Sequence, residues 1–307
     1  MHGVGTETVK LVFNKAGFTS LITVDEQCTP DPDFPTVAFP NPEEPGAIDL
    51  ALKKARDFGA ELVIANDPDA DRCAAAINDP KVGWRMLRGD ELGVVLGEWI
   101  ARSHPHGTFG NSIVSSSALR KISAHYGINF QEVLTGFKWL AKIEDLAFGY
   151  EEALGYCVDL AHTPDKDGIS ASLVMADLAI ELHQRGSNLE QHLAELGQRY
   201  GYFATSQISI RFGELSKIGE LVERLRNQPP TELCGLAVQF TDLSLGSAEL
   251  PPTDGVRFDL TDGRRVIVRP SGTEPKVKCY LQATGDSAAA AKGLLAELDA
   301  AMRGVLA

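Results

Sequence analysis

Short apolar runs of strand character alternate with amphipathic helical segments through the first two-thirds of the chain, and this alternation restricts the fold more than any other feature. Val9, Val12, Phe13 and Ala16 recur at i, i+3, i+4 and i+7 and stop at Gly17, which predicts an amphipathic helix with a glycine terminator. Residues 21–24 (LITV) then read as a buried strand. A proline- and acid-rich loop follows, and AIDLALKKARDFG predicts a helix ahead of a second strand at 61–65 (ELVIA). The pattern implies a parallel α/β layer, with chemistry expected at the C-terminal ends of its strands. A second cycle has a helix at 89–104, a strand at 112–116 (SIVSS), the helix ALRKISAHYG, the strand INFQEVL, a glycine-flanked acidic turn at 148–156 (FGYEEALGY) and a long helix at 168–185. Beyond about residue 198 the strands are joined by Asp-Gly turns and the chain ends on an Ala-rich helix, which reads as an α+β unit. The fold class expected is therefore α/β: two consecutive mixed α/β three-layer domains, 1–83 and 84–197, followed by a smaller α+β domain, 198–307.

At 307 residues the chain has room for such domains, each with a real core. Lys and Arg number 29 against 42 Asp and Glu, and the net charge of -13 opposes a general nucleic-acid-binding surface. No apolar run reaches the ~20 residues of a membrane helix, and MHGVGTETVK lacks the basic and apolar regions of a signal peptide. The five cysteines are scattered, odd in number and never spaced CxxC, which indicates neither a disulfide framework nor a zinc knuckle but a reducing cytoplasm.

Three motifs carry chemistry. In NDPDADRC, three carboxylates at alternate positions, Asp67, Asp69 and Asp71, directly follow a buried strand, so their oxygens can converge on one hard cation such as Mg²⁺. An EF-hand is excluded, because Arg72 and Asn78 stand where that loop needs Gly and Glu. Arg72 either neutralises the carboxylates or reaches an anionic substrate. In RPSGTEPKVK, a guanidinium (Arg269), the hydroxyls of Ser271 and Thr273 and the open backbone of Gly272 make a phosphate cradle, with positive charge nearby at Lys276 and Lys278. It is no Walker loop, and an ordinary hairpin is the competing reading. In GYEEALGY, a carboxylate could accept hydrogen bonds from sugar hydroxyls, although a helix N-terminal turn would look the same.

The order of DPDADR, GFK, EEALG and RPSGTEPK along the chain closely resembles the α-D-phosphohexomutase family of phosphoglucomutases, phosphomannomutases and phosphopentomutases. The resemblance implies a Mg²⁺-dependent phosphosugar mutase that interconverts a sugar 1-phosphate and the terminal phosphate through a bisphosphate intermediate. It implies that Asp67, Asp69 and Asp71 hold Mg²⁺, that Arg72 lies near substrate, and that Glu151 accepts sugar hydroxyls. Lys138 and Lys166 would help orient a hexose or pentose phosphate or a sugar bisphosphate, and Arg269, Ser271, Gly272, Thr273 and Lys278 would hold the phosphate that is not transferred. Ala153 stands where many hexose enzymes have the serine of an EESxG loop, so one hydroxyl contact is lost and the sugar stays open.

The family's catalytic phosphoserine lies in an N-terminal domain, in a TASHNP-like loop that this sequence lacks; Ser115–Ser117 have neither the following His-Asn-Pro nor the right place in the order. The expectation is that the chain corresponds to family domains two to four. It would then have no catalytic serine of its own, weak Mg²⁺ binding, little turnover without a separately supplied first domain, and an exposed apolar patch near residues 1–20. Two other readings are a non-catalytic sugar-phosphate-binding protein, and a Mg²⁺-dependent phosphatase with Asp67 as nucleophile, for which RPSGTEPK has no role.

Overall fold

The computed structural model describes residues 1–80, 82–272 and 274–307, arranged as two compact units, 1–193 and 194–307. In the first unit, α1 (Thr6–Lys15) forms on the expected apolar spacing, buries Phe13 and ends near Gly17, whose φ of 89° suits glycine. Val4 and Leu11 are exposed. Residues 21–24 do not form a strand. Leu21 and Ile22 are exposed, and the segment has no ladder partner among the described residues, without which an apolar run of four cannot satisfy its backbone as a strand.

Helix α2 (Asp49–Phe58) closes on the left-handed Gly59 and packs Ala55 against Val63 and Ala76 of a three-stranded sheet, β1 (Leu62–Ala65), β2 (Ala74–Asp79) and β3 (Gly83–Met86). This sheet is an antiparallel meander rather than the parallel layer expected. The reason lies in the DPDADR turn, where Ala70 takes a positive φ of 59° and the chain doubles back so that Ala65 pairs with Ala74. The run of three alanines in β2, poor in β propensity, is a strand because both its faces are covered: residues 73–77 are all buried.

Helix α3 (Gly89–Ser103) leads into a second sheet built from β4 (Thr108–Ser112), β5 (Asn129–Val133), β6 (Leu146–Glu151) and β7 (Gly155–Cys157), with α4 (Ala118–Tyr126), α5 (Phe137–Leu140), α6 (Gly168–Gln184) and the start of α7 (Leu189–Tyr200) around it. The order is β5-β4-β6-β7, and β4 pairs in parallel with both β5 and β6 while β7 turns back antiparallel. The strand expected at 112–116 lies earlier, at Thr108–Ser112, and residues 113–116 form a turn at its C-terminal end. Gly110 and Asn111 disguise β4 in the sequence; a Cβ on Gly110 would stand 2.4 Å from Ile143 Cδ1, so Ile143 packs directly over the strand there. Likewise the acidic turn at 148–156 is a hairpin, with Glu151 closing β6.

Helix α3 explains how that hairpin is held. Its glycines recur every fourth residue and face the β6 hairpin: a Cβ would stand 1.8 Å from Glu152 O at Gly89, 2.6 Å from the Tyr150 ring at Gly93 and 3.0 Å from Phe148 Cε1 at Gly97. The missing side chains let the helix lie directly on Phe148 and Tyr150, which are fully buried and each contribute on the order of 1.5–3 kcal/mol through burial.

The second unit, taken by itself, is an antiparallel sheet of β8 (Tyr202–Arg211), β9 (Glu232–Leu233), β10 (Leu236–Asp242), β11 (Val256–Leu260), β12 (Arg265–Pro270) and β13 (Lys276–Gly285) in the order β8-β13-β12-β11-β10-β9. Helices α8 (Ser216–Asn227) and α9 (Ala288–Leu306) pack Leu221, Val222, Leu298 and Met302 against Val256, Phe258, Val266 and Cys279. This is the α+β unit that the Asp-Gly turns predict, and Gly263 is left-handed in one of them.

Candidate active site

The aspartate loop begins where β1 ends. Asp67, Asp69 and Asp71 each turn a carboxylate oxygen inward, and the three oxygens lie within 4.8 Å of one another. Several contacts hold the loop in this form. Asp67 Oδ1 accepts the Arg72 backbone N–H at 3.0 Å, and Ala70 N–H bonds to Asp67 O at 3.0 Å. Asn66 Nδ2 donates to Arg72 O at 2.7 Å and to Gly168 O at 3.2 Å, while Gly168 N–H bonds to Ala70 O at 3.1 Å. On its outer side, Val4 N–H bonds to Pro68 O at 2.9 Å, and Gly3 and Gly5 approach Pro68 and Ala70 too closely to carry a Cβ.

Crowding three carboxylates has an electrostatic consequence. Burial, and then the neighbouring charges of Asp71 and Asp69, push the Asp67 carboxyl up to about 6 against the opposing pull of the Arg72 backbone N–H. The cationic partners are Arg72, with Nε 3.5 Å from Asp67 Oδ2 and 3.8 Å from Asp71 Oδ1, and Lys166, with Nζ 2.6 Å from Asp71 Oδ2. Burial pulls the Lys166 ammonium down, but its hydrogen bond and attraction to Asp71 more than offset this and leave it above the ordinary lysine value. Asp71 Oδ1 is buried without a hydrogen-bond partner among the described residues. Convergent carboxylates, one of them with an unsatisfied buried oxygen, fit a hard divalent cation.

Glu151 is brought next to this loop by the hairpin. Arg72 bridges Gly155, and Cys73 N–H bonds to Leu154 O at 3.0 Å. Leu154 occupies the left-handed position of the three-residue loop with a φ of 67°, held there by a side chain with no exposure. Glu151 Oε1 accepts the Gly136 N–H at 2.6 Å, so the GFK turn and the EEALG loop are one assembly. Lys138, on the short α5 that follows Gly136, is exposed, 5.9 Å from the Trp139 ring centroid and without an ion pair among the described residues.

Beneath the hairpin lies a group of residues that no motif marks. Ser115 is fully buried; its Oγ accepts the Glu152 N–H at 3.0 Å, donates to Glu152 Oε2 at 3.2 Å and lies 2.8 Å from Ser112 Oγ. Asp90, at the start of α3, accepts from Ser116 N–H at 2.6 Å and from Tyr150 OH at 3.0 Å. The serine run is thus an anchor under the hairpin, and a cluster of hydroxyls at the end of an apolar strand was the signal for it.

In the second unit, RPSGTEPK is the loop between β12 and β13, closed by Ser271 N–H to Lys276 O at 2.8 Å. The hairpin reading is right about its form. Arg269 and Lys278 stand opposite each other in the ladder, which places two cations side by side. The Arg269 guanidinium makes no ion pair among the described residues. Lys276 is instead neutralised by Glu274 at 2.5 Å, and Arg211 meets the same carboxylate at 3.0 Å. Gly272 is exposed, and Thr273 lies outside the described residues.

Three family models match in series: phosphoglucomutase/phosphomannomutase α/β/α domain II over residues 1–83, α/β/α domain III over 88–200, and the C-terminal domain over 210–301. The chain belongs to the phosphoglucomutase/phosphomannomutase family. A Haemophilus influenzae relative named "Probable phosphomannomutase" is 46% identical over 309 residues, covering 100% of this chain and 63% of its own. Mouse phosphopentomutase is 35% identical over 318 residues, covering 92% of this chain and 51% of its own. Among solved structures, the Paramecium protein pp63/parafusin (phosphoglucomutase), in its open form, superimposes with a TM-score of 0.70 over 98% of this chain and 57% of its own at 24% identity, a likeness of fold. The chain therefore spans between half and two-thirds of the length of these relatives. No helix among the described residues is long and apolar enough to cross a membrane.

Proposed function

We propose that the chain supplies the cation-, sugar- and phosphate-holding domains of a Mg²⁺-dependent phosphosugar mutase, divided at 1–83, 84–197 and 198–307. The observation that carries the proposal is the convergence of Asp67, Asp69 and Asp71 beside the hairpin of Glu151.

In this reading Asp67, Asp69 and Asp71 hold Mg²⁺, which when bound offsets negative charge on the phosphoryl group being transferred. Arg72 and Lys166 orient the anionic end of the substrate, and Lys138 helps to orient it. Glu151, its orientation fixed by the Gly136 N–H, accepts hydrogen bonds from sugar hydroxyls through its remaining lone pairs. Ala153 offers no hydroxyl, which widens the choice to hexose and pentose phosphates. Arg269, Ser271, Gly272, Thr273 and Lys278 bind the phosphate that stays on the sugar. The group that carries the phosphoryl between the two ends is a serine of a further, N-terminal domain, so these residues alone bind substrate without turning it over. Five unpaired cysteines support a reducing compartment such as the cytoplasm.

The test is a coupled assay of sugar 1-phosphate isomerisation with this chain, alone and with a family N-terminal domain added in trans. Binding without turnover for the chain alone supports the proposal. Turnover by the 307 residues unaided refutes the assignment of the phosphoryl carrier.

A further inference from the structure

The Lys166 side chain crosses the backbone of the sugar-side hairpin and ends on the aspartate loop. Its Nζ lies 2.6 Å from Asp71 Oδ2, and its Cδ lies 3.0 Å from where a Cβ on Gly155 would stand. Gly155 thus leaves the space through which the lysine stem runs. Asp165 also lies near the ammonium, but at 3.8 Å and with its own side chain 59% exposed, so Asp71 is the principal partner. At the far side of the same carboxylate, Oδ1 has no hydrogen bond among the described residues and lies 3.8 Å from Arg72 Nε.

A divalent ion that gathers Asp67, Asp69 and Asp71 competes with this ammonium for the same carboxylate, and the two cations repel each other at such range. We propose that Lys166 is a tethered counter-ion: it holds Asp71 until a divalent cation arrives, is displaced by that cation, and then presents its ammonium to the anionic group of the sugar phosphate. The inference rests on reading the three aspartates as a cation site. It makes cation and anion binding support each other. A bound cation frees the ammonium for the anion, an anion that holds the ammonium removes the cation's competitor, and by linkage the two factors are equal.

The experiment uses the full chain and Mn²⁺ as the probe, with free Mn²⁺ read from its electron paramagnetic resonance signal. Brief amine acylation, read residue by residue by peptide mass spectrometry, reports whether Lys166 is engaged, and Lys53, 74% exposed on α2, serves as the internal reference. Lys166→Met should bind Mn²⁺ about five- to tenfold more tightly than the unaltered chain, because a competing charge is gone. Lys166→Arg, which keeps the charge, should stay within about twofold. Saturating Mn²⁺ should raise acylation of Lys166 several-fold and leave Lys53 unchanged. Equal Mn²⁺ affinity of the Lys166→Met and unaltered chains, or Lys166 acylation indifferent to bound Mn²⁺, overturns the inference while leaving the cation site standing. Failure of every form to bind Mn²⁺ overturns the cation site itself, and the inference with it.

Discussion

Arg72 and Gly155 form an isolated antiparallel bridge that ties the loop of Asp67, Asp69 and Asp71 to the hairpin of Glu151. Together with the bond from Cys73 N–H to Leu154 O, it makes one hydrogen-bonded assembly of segments about eighty residues apart in the chain. The carboxylates of the aspartate loop and Glu151 are therefore positioned by the same backbone. Damage to either loop should reach the other.

Gly168 tests that coupling. A Cβ there would stand 2.1 Å from Arg72 O and 2.7 Å from Ala70 O, both backbone atoms that cannot swing away. Gly168→Ala should destabilise the chain by roughly 1–3 kcal/mol, as overpacking does, and weaken Mn²⁺ binding as well. Urea unfolding and Mn²⁺ titration check the two effects; a variant with unchanged stability would show that the α6 terminus does not brace the loop.

Asp67 gives the pH dependence. Its folded pKa, about 6, lies above the ordinary 3.8, so its ionised form opposes folding. The penalty is fully present above the folded value and absent below the unfolded one. A bound cation cancels it by favouring the ionised form. The rise in melting temperature caused by Mg²⁺ should therefore be large at about pH 7, shrink as the pH falls through the folded pKa, and be lost in Asp67→Asn. Thermal melts with and without Mg²⁺ across this range measure it, and an increment independent of pH would contradict the assignment.

Arg269 tests the phosphate cradle proposed for the second unit. Charge-assisted bonds to phosphate are worth about 1.5–3 kcal/mol each, so Arg269→Ala should weaken binding of a sugar bisphosphate by roughly ten- to a hundredfold. Mn²⁺ affinity should not change. Calorimetry on both ligands checks this, and a loss of Mn²⁺ binding would show that the substitution had unfolded more than the cradle.

Much of the fold was legible because it follows local rules. The periodicity of α1, the Asp-Gly turn at Gly263 and the apolar run of β1 ahead of the aspartates all appear where the sequence indicates them. The failures share a cause, namely that tertiary covering overrides propensity. The alanines of β2 and the Gly-Asn of β4 are strands because of what buries them, whereas LITV has strand propensity and no partner. The candidate residues Asp67, Asp71, Arg72, Glu151 and Lys166 come together within the first unit. What the motifs could not reveal was the support under them: Ser115, Asp90 and the glycines of α3 act through contacts between distant segments, which no local pattern records.

Joint binding of a cation and a phosphosugar is what the proposed site most directly requires. Calorimetric titration of the full chain with glucose 1,6-bisphosphate, with and without Mg²⁺, should give saturable one-to-one binding that tightens with Mg²⁺. Asp71→Asn should remove the Mg²⁺ effect, and Glu151→Ala should weaken binding about tenfold, the loss of one charged hydrogen bond. Absence of binding, or binding indifferent to Mg²⁺ and to both substitutions, would contradict it.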